Sequence, residues 1–367
     1  HRTSRDAVKV LHVVGARPNF MKTAALMHAM QQEGAAFQQV LVHTGQHYDR
    51  AMSDVFFEEL GLPEPDAYLS VGSGTHAEQT ARAMSAFEPV LLKFAPDVLV
   101  VVGDVNSTLA CAIVATKLGV KIAHVEAGLR SFDRTMPEEI NRILTDQIAD
   151  YLFTPSRDGD ENLKREGIDA KRVFFVGNVM IDTLIRLLPK TDPEKACASV
   201  GVKPNHFALA TLHRPSNVDD PATLTEIMKA MAQVAQQRPV VFPVHPRTRA
   251  RINEMGLASL SGDVKLVEPA GYLDFLALES VASIVMTDSG GVQEETAYLG
   301  VPCLTLRPNT ERPVTIESGM NRLVASRTSD IVGAVDRMVE KGKAKHTIPD
   351  LWDGHASERI ARILLEQ

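Results

Sequence analysis

The chain has 367 residues and a formal net charge of −7, with 44% hydrophobic and 23% charged residues. These values are typical of globular proteins and exclude the disordered, collagen-like and coiled-coil classes. The interspersed charges argue against a protein whose main partner is nucleic acid or an anionic membrane. At about 150 residues per domain, the length predicts two domains.

Three cysteines, Cys111, Cys197 and Cys303, share no metal-ligand spacing and lie in or beside apolar runs, which predicts free thiols. No apolar run approaches the ~18 residues that span a bilayer, and the opening residues lack the apolar centre of a signal peptide. We therefore expect a cytoplasmic protein that is neither inserted in a membrane nor exported.

Short β-branched runs alternate with longer amphipathic stretches in the first half, which predicts βαβ units and a parallel sheet. The predicted strands are residues 8–14, 39–43, 98–102, 121–125, 151–153 and 172–176. The predicted helices are residues 22–32, 53–60, 77–94, 108–118 and 137–149.

The same alternation returns after a proline-containing connection at residues 178–205. Strands are predicted at residues 207–211, 240–244, 264–267, 283–287, 303–306 and 322–324, and helices at 222–236, 272–281 and 291–299. We therefore predict an α/β protein with two doubly wound, Rossmann-like domains. They span residues 7–178 and 200–350, and a C-terminal helical segment follows at 351–367.

Polar residues recur where the predicted strands end, which is where open α/β sheets bind their ligands. In the first domain these ends carry the GARP turn at residues 15–18, Asp104 and Glu126. In the second they carry His213, His245 and the DSGG turn at residues 288–291. Two such rims facing one another would form a central cleft rich in acidic, basic and anion-binding groups.

The second-domain turn offers backbone amides at a helix start, in Ser289, Gly290 and Gly291. They are expected either to bind phosphate or to form a tight turn with a capping serine. Glu295, one turn further on, could accept hydrogen bonds from a ribose diol or lie exposed on the helix. No HExxH, Walker A or GxSxG motif is present, so zinc hydrolysis, P-loop and α/β-hydrolase chemistry have no motif behind them.

Arg17 and Arg312 each precede a proline, and we expect them either to clamp a pyrophosphate or to form surface ion pairs. Lys22 would add a point charge nearby or be solvated. His213 is either a hydrogen-bonded turn histidine or a phosphate donor and catalytic acid.

The carboxylates each have a structural alternative. Asp104 could cap the helix that follows it, and Glu126 could pair with Arg130. Glu138 and Glu139 follow Pro137, where the helix dipole favours acidic residues.

Seven motifs together resemble the non-hydrolysing UDP-N-acetylglucosamine 2-epimerase family, in the family's order and over nearly the whole chain. They are GARPNFMK (15–22), GDVNSTLA (103–110), HVEAGLRSFDRTMPEEINR (124–142), HRP (213–215), VHPRTR (244–249), TDSGGVQEE (287–295) and TERP (310–313).

The resemblance implies a glycosyltransferase B-type fold, with the C-terminal helix crossing back to the first domain. It implies that UDP-GlcNAc and UDP-ManNAc are interconverted by elimination of UDP to 2-acetamidoglucal and its re-addition, without a metal or other cofactor. It also implies a homodimer that serves cell-envelope polysaccharide synthesis.

Carried over by position, the family's catalytic groups fall on Asp104, Glu126, Glu138 and His213. Its substrate contacts fall on Arg17, Lys22, His245, Ser289, Gly290, Gly291, Glu295 and Arg312.

Many bacterial members bind a second UDP-GlcNAc as an activator. Gln46, Glu139 and His245 match that second site, whereas Asp49, Ser73 and Pro215 stand where glutamine and two arginines are usual. We therefore expect Gln46 and Glu139 to be remnants of an allosteric site, and we expect turnover of UDP-ManNAc without UDP-GlcNAc.

The resemblance leaves other activities open. A sister epimerase acting on UDP-2,3-diacetamido-glucuronic acid fits the motifs nearly as well. A retaining glycosyltransferase, a hydrolysing epimerase that releases free ManNAc and an inactive UDP-sugar sensor are the remaining alternatives.

Overall fold

The computed structural model describes residues 6–46, 50–342 and 346–367. They form two compact units. The first contains the chain up to Arg186 together with Asp350–Gln367, and the second is Leu187–Pro349. The division lies within the predicted connection at 178–205.

The first unit is a parallel sheet with helices on both faces. Its strands are β1 Val8–Val14, β2 Phe37–His43, β3 Ala67–Tyr68, β4 Val98–Val102, β5 Lys121–Val125, β6 Tyr151–Thr154 and β7 Val173–Phe175. Its helices up to residue 187 are α1 Arg17–Gln32, α2 Arg50–Leu60, α3 His76–Phe94, α4 Asn106–Lys117, α5 Pro137–Ile148, α6 Arg157–Arg165 and α7 Val179–Leu187. The strand order among the described residues is β3-β2-β1-β4-β5-β6-β7.

The predicted strands of this unit are confirmed to within two residues at each end. The prediction missed β3, because a two-residue edge strand has no measurable alternation. It also missed α6, whose sequence RDGDENLKR contains a single large apolar residue, Leu163.

Strand β4 shows why the sheet is covered on both faces. All five of its residues are buried. Val98, Val100 and Val102 pack into one core, while Leu99 and Val101 pack into the core on the opposite face. Successive side chains of a strand point to opposite faces, so an uninterrupted apolar strand needs helices on both sides.

The second unit repeats this architecture. Its strands are β8 Ala208–Thr211, β9 Val240–Pro243, β10 Lys265–Val267, β11 Ile284–Thr287, β12 Cys303–Thr305 and β13 Asn321–Leu323. Its helices are α8 Pro193–Ser199, α9 Pro215–Val218, α10 Pro221–Ala235, α11 Pro246–Glu254, α12 Tyr272–Ser280, α13 Gly290–Leu299, α14 Val314–Glu317 and α15 Thr328–Lys341. The parallel strands run in the order β10-β9-β8-β11-β12-β13, which is a Rossmann-type order.

The C-terminal helix, α16 Ala356–Glu366, belongs to the first unit and packs against α1. Ile360, Ala361 and Leu364 share a core with Leu26 of α1. The carboxylate of Asp182 accepts from the first backbone amides of α16, at 3.2 Å from Ala356 and 2.7 Å from Ser357.

In each sheet the strand order reverses at one place, between β1 and β4 and between β8 and β11. This switch point is where doubly wound sheets bind their ligands. All three cysteines are free, buried thiols. Within the described residues, no helix has the length and apolar character needed to cross a membrane.

Candidate functional site

The candidate residues fall into two groups, one on each unit. In the first unit, Asp104 follows β4 and its carboxylate Oδ2 lies 2.5 Å from Nη1 of Arg142 on α5. Arg142 is buried, and its other donors face Glu139 at 3.0 to 3.1 Å. Asp104 therefore does not cap α4, because its side chain is held towards α5.

Glu126 follows β5 and lies 2.6 Å from Nζ of Lys22 on α1, and both side chains are buried. The expected alternative, a pair between Glu126 and Arg130, is wrong. Arg130 pairs instead with Asp146 at 2.8 Å and with Glu166 at 2.9 Å. The alternative that Lys22 is solvated is wrong as well, because its ammonium group is buried and pairs with Glu126.

The backbone of Glu126 has φ +72°, the left-handed region that non-glycine residues seldom occupy. The amides of Glu126 and Ala127 both donate to the Phe153 carbonyl, at 3.1 and 2.9 Å, which holds this conformation. Strained backbone of this kind is enriched at functional sites, and Glu126 is one of six described non-glycine residues that adopt it.

Glu138 and Glu139 occupy the first turn of α5 but have different surroundings. Glu139 is buried and accepts from the backbone amides of Ser131 at 3.1 Å and Phe132 at 2.6 Å. The Glu138 side chain is half-buried, and it has no hydrogen bond or ion pair with another side chain that the structure describes. Its carboxylate is therefore partly exposed to solvent, whereas Glu139 is held by the fold.

Gln46 is also held by the fold. Its Oε1 accepts from the backbone amide and the hydroxyl of Ser107, at 2.8 and 2.7 Å, so it caps the start of α4. Of the departures expected at the activator site, Ser73 and Pro215 are exposed, and Asp49 lies outside the described residues. Arg17 is half-buried, and its guanidinium stacks on Phe56 at 4.0 Å.

In the second unit, Ser289 is the N-cap of α13, and its hydroxyl accepts from the Val292 amide. Gly290 and Gly291 form the first turn of the helix, where backbone amides have no acceptor within the helix. A helix of ten residues with free amides and a serine at its start can bind a phosphate group.

His213 follows β8, and its Nδ1 lies 2.7 Å from Oδ1 of Asp288, which follows β11. Asp288 is buried and also accepts from the amide of Arg214 at 3.0 Å and from Asn217 Nδ2 at 3.0 Å. Desolvation of the part of the ring that the protein covers opposes its charge, but the Asp288 carboxylate raises the pKa of His213. The side chain of His213 is 61% exposed, so solvent screens part of this effect.

Arg312 is not an open clamp. Its guanidinium is buried, pairs with Glu294 at 2.5 Å and also pairs with Glu311. It lies against Gly290, where a β-carbon would collide with it. The structure thus places Arg312 beside the α13 turn, with its charge already shared between two carboxylates.

Glu295 is buried on α13, and Tyr272 donates to its Oε2 at 3.0 Å, so it is not an exposed helix residue. Glu279, on α12, is fully buried. Burial and the nearby Glu295 raise the pKa of Glu279 well above its ordinary value. His245 is the exposed N-cap of α11 and accepts from the Arg247 amide at 3.2 Å.

Three residues of these groups were not predicted as site residues. Arg142 binds Asp104, Asp288 binds His213, and Asp146 binds His124 at 2.6 Å. Arg142 lies three residues after Glu139, a spacing that favours side-chain pairing on a helix. The pair between these two residues could therefore have been predicted from the sequence. Asp288 is 75 residues from His213, and Asp146 is 22 residues from His124, so local sequence predicts neither pair.

The described residues contain no cluster of histidine, cysteine and carboxylate side chains that could hold a metal ion. The first unit presents carboxylates paired with cations after β4 and β5. The second presents a helix start with a histidine nearby, an arrangement that can bind a phosphate-containing ligand.

Comparison with known proteins identifies the family. The chain is 44% identical to the UDP-N-acetylglucosamine 2-epimerase of Methanocaldococcus jannaschii, over 97% of this chain and 99% of that protein. It is 43% identical to the UDP-2,3-diacetamido-2,3-dideoxy-D-glucuronate 2-epimerase of Pseudomonas aeruginosa, with coverage of 97% and 99%.

The crystal structure of the M. jannaschii UDP-GlcNAc 2-epimerase in complex with UDP-GlcNAc and UDP superposes with a TM-score of 0.92. That alignment has 43% identity and covers 98% of this chain and 100% of the other. The family model described as UDP-N-acetylglucosamine 2-epimerase matches residues 28–365. The chain therefore belongs to the UDP-N-acetylglucosamine 2-epimerase family of isomerases.

Proposed function

We propose that this chain interconverts UDP-GlcNAc and UDP-ManNAc by eliminating UDP to give 2-acetamidoglucal and adding it back after protonation of carbon 2 on the opposite face. The observation that carries the proposal is the placement of three carboxylates. Asp104 and Glu126 follow the adjacent strands β4 and β5, and Glu138 lies in the first turn of α5, the helix whose Arg142 pairs with Asp104. The 44% identity to the M. jannaschii UDP-N-acetylglucosamine 2-epimerase supports the choice of sugar.

The chemistry explains why carboxylates and cations are needed together. Carbon 2 has no adjacent carbonyl, so its proton becomes acidic only as the bond between the anomeric carbon and the phosphate oxygen breaks. Stabilisation of the departing diphosphate is therefore the first requirement. We assign it to His213, to the hydroxyl of Ser289 and to the amides of Gly290 and Gly291, with Arg312 beside them. The Ser289 amide is not included, because it donates to the Thr287 hydroxyl at 3.0 Å.

The proton transfers fall to the first unit. Asp104, Glu126 and Glu138 stabilise positive charge on the ring and move the proton at carbon 2, one group on each face of the sugar. The three carboxylates have different partners. Arg142 pairs with Asp104 and Lys22 pairs with Glu126, whereas Glu138 pairs with none of the side chains that the structure describes. Arg17 adds a cation near the start of α1.

Further contacts complete the substrate site. We assign Glu295 to bind the ribose hydroxyls. Its buried carboxylate already accepts a hydrogen bond from one hydroxyl group, that of Tyr272. His245 and Lys22 complete the set carried over from the family. We propose no metal or organic cofactor, since no hydride moves in this reaction. The family resemblance also supports a homodimer, which light scattering of the purified protein would test.

The decisive experiment is incubation of UDP-GlcNAc with the protein in deuterated water, followed by NMR. We expect UDP-ManNAc to form and both sugars to carry deuterium at carbon 2. Amide variants of the three carboxylates, Asp104→Asn, Glu126→Gln and Glu138→Gln, should lose turnover by about 10² to 10⁴-fold while UDP binding persists. Near-normal turnover in all three would contradict the assignment.

A second substrate is favoured by one observation, the 43% identity to the P. aeruginosa diacetamido-glucuronate 2-epimerase. The same elimination chemistry would apply to that sugar. Separate incubations with each UDP-sugar, compared by kcat/KM, decide between them. If only the diacetamido uronate is epimerised, the assignment of UDP-GlcNAc is wrong and the mechanism stands.

A further inference from the structure

Three buried histidines of the first unit, His12, His43 and His124, differ in their hydrogen-bond partners. The Gly45 amide donates to Nδ1 of His43 at 2.9 Å, so that nitrogen has no hydrogen and the ring is neutral. Burial lowers the pKa of His12 and of His43 to about 4. Both rings are therefore neutral at neutral pH.

His124 is bonded at both nitrogens to acceptors. Nε2 lies 2.7 Å from the Gly103 carbonyl oxygen, which cannot donate, so Nε2 carries a hydrogen. Nδ1 lies 2.6 Å from Oδ1 of Asp146. The other oxygen of Asp146 accepts from the Gly128 amide at 3.0 Å and from Arg130 at 2.8 Å, as an ionised carboxylate does.

Two acceptors leave no place for a ring lone pair, so both nitrogens of His124 carry hydrogens and the ring is an imidazolium. Burial by itself would disfavour this charge, but the Asp146 carboxylate raises the pKa of His124. Asp146 and His124 form a fully buried ion pair beneath the ends of β4 and β5.

We propose that the His124 imidazolium is a positioning residue for the proton-transfer carboxylates, an inference that rests on the proposed function. It acts on Asp104 through the backbone, because its bond to Gly103 holds the turn from which Asp104 leaves β4. Gly103 has φ +68°, and a β-carbon added to it would lie 3.5 Å from Nζ of Lys22, so this turn lies beside the Lys22–Glu126 pair. Holding Gly103 in place therefore positions Asp104 relative to that pair.

The imidazolium also acts by charge. Glu126 is close enough for its carboxylate to favour the protonated ring, and the attraction is mutual. Among the described residues, the charged groups that act on the ring are Asp146 on α5 and Glu126 after β5. Arg130 pairs with Asp146 and Lys22 pairs with Glu126, so both cations are one contact further away. Asp104 follows Gly103 in the chain. Loss of the positive charge on His124 should therefore raise the pKa of Glu126.

Two substitutions separate positioning from charge. In Asp146→Asn, the amide oxygen can still accept from Gly128 and Arg130, while the amide nitrogen donates to Nδ1 of His124. The ring then becomes neutral but keeps its bond to Gly103. In His124→Asn, the side chain is too short to reach the Gly103 carbonyl, so both the bond and the charge are lost.

The charge is tested directly by NMR of the full-length protein labelled with ¹⁵N-histidine, at about two pH units above the ordinary histidine pKa of ~6.5. We expect both nitrogens of His124 to show directly bonded protons. His12 and His43 serve as references in the same spectrum, and each should show one bare nitrogen. A bare nitrogen on His124 would overturn the proposal, and this outcome does not depend on any enzymatic activity.

The positioning role is tested by pH profiles of kcat. We expect a loss of roughly 10-fold in Asp146→Asn and 10²-fold in His124→Asn, as displacement of catalytic groups produces. In both variants KM should stay within about twofold of the wild-type value. The acidic limb of the kcat profile of each variant should move to higher pH. His12→Asn is the matched control, a buried histidine of the same sheet, and should keep the wild-type profile.

The outcomes are distinguishable from failure of the proposed function. If the wild-type protein turns over no UDP-sugar, the proposed function is wrong, and with it the positioning role, whereas the NMR spectrum still decides the charge on His124. If His124→Asn does not fold, Asp146→Asn and the spectrum decide. A wild-type kcat profile in Asp146→Asn together with a neutral His124 would show that the imidazolium has no role in positioning.

Discussion

Nδ1 of His213 lies 2.7 Å from Oδ1 of Asp288, and the two residues follow the adjacent strands β8 and β11 at the switch point of the second sheet. The buried carboxylate also accepts from the backbone amide of His213, at 3.1 Å. The pair therefore fixes the ring orientation and directs Nε2 away from the carboxylate, the arrangement expected of a histidine that donates to a ligand.

The pair predicts the behaviour of Asp288→Asn. Without the carboxylate, the pKa of His213 should fall and kcat should drop on the order of 10²-fold, since His213 would be neutral where it is needed charged. In the wild type, protonated His213 adds stability below pH ~6.5, and this contribution is lost as the pH rises through its raised folded pKa. Histidine proton NMR titration and kcat measure both effects.

Asp219→Asn is the control for Asp288→Asn, because Asp219 pairs with Arg247, whose side chain is 63% exposed. It should leave both kcat and the titration of His213 unchanged. An unaltered His213 titration in Asp288→Asn would show that the pair does not set its charge.

A second prediction concerns Arg142, which links Asp104 to buried Glu139. Replacing it with alanine leaves a buried carboxylate without its cation, a change that costs about 3 kcal/mol or more. Urea unfolding followed by fluorescence of Trp352 measures it, since this single tryptophan is buried in the first unit. Arg157→Ala breaks an exposed pair with Asp350 and should cost less than ~1 kcal/mol.

A third prediction concerns Gly290, whose missing β-carbon leaves room for Arg312. Gly290→Ala should displace the guanidinium, which two carboxylates hold in place, and weaken UDP binding by about tenfold. Isothermal titration calorimetry with UDP gives the dissociation constant. Gly333→Ala, within α15, should leave UDP binding unchanged and stabilise its helix by up to ~1 kcal/mol. Equal affinities in the two variants would contradict this role for Gly290.

A fourth prediction concerns activation. Gln46 and Glu139 serve as internal acceptors for Ser107 and for the 131–132 backbone, and Ser73 and Pro215 lack the guanidinium groups that would capture a second diphosphate. We expect UDP-ManNAc alone to be converted without delay. An initial-rate assay measures this, and a lag that added UDP-GlcNAc abolishes would show that activation is retained.

A fifth prediction concerns acid stability. His12 and His43 have folded pKa values lowered by burial to about 4, from the ordinary 6.5. Between those pH values the unfolded chain binds protons that the folded chain does not, so stability falls with decreasing pH, by up to ~1.4 kcal/mol per pH unit for each group. Urea unfolding at pH 7 and pH 5, followed at Trp352, should show the fall, and His12→Asn should reduce it.

Local sequence was sufficient for most of the secondary structure. In β4 the run VLVVV predicts a buried strand because five consecutive apolar residues need two covering layers. Pro137 followed by two glutamates predicts the start of α5, because proline fits the first helical turn and acids favour the helix dipole. The placement of polar residues after strand ends led to the prediction that Asp104, Glu126 and His213 face a ligand.

The partners of those residues were decided by tertiary structure. Glu126 has Arg130 four positions away in sequence, yet it pairs with Lys22, because the left-handed turn after β5 sends its carboxylate to α1. Arg312 reads as a surface cation, but the fold buries it between Glu294 and Glu311. The charge state of His124 likewise depends on Asp146 and Gly103, which the parallel sheet brings together from 22 and 21 residues away.

The physical reason is the range of the interactions. Periodicity and capping act over a few residues and can be read from the chain, so the strand ends and their polar side chains were determined by sequence. Ion pairs and hydrogen bonds between elements depend on distances of a few ångströms that exist only after the sheets form. The sequence therefore determined which polar side chains follow the ends of the strands. The fold decided which of these side chains are charged and which are paired.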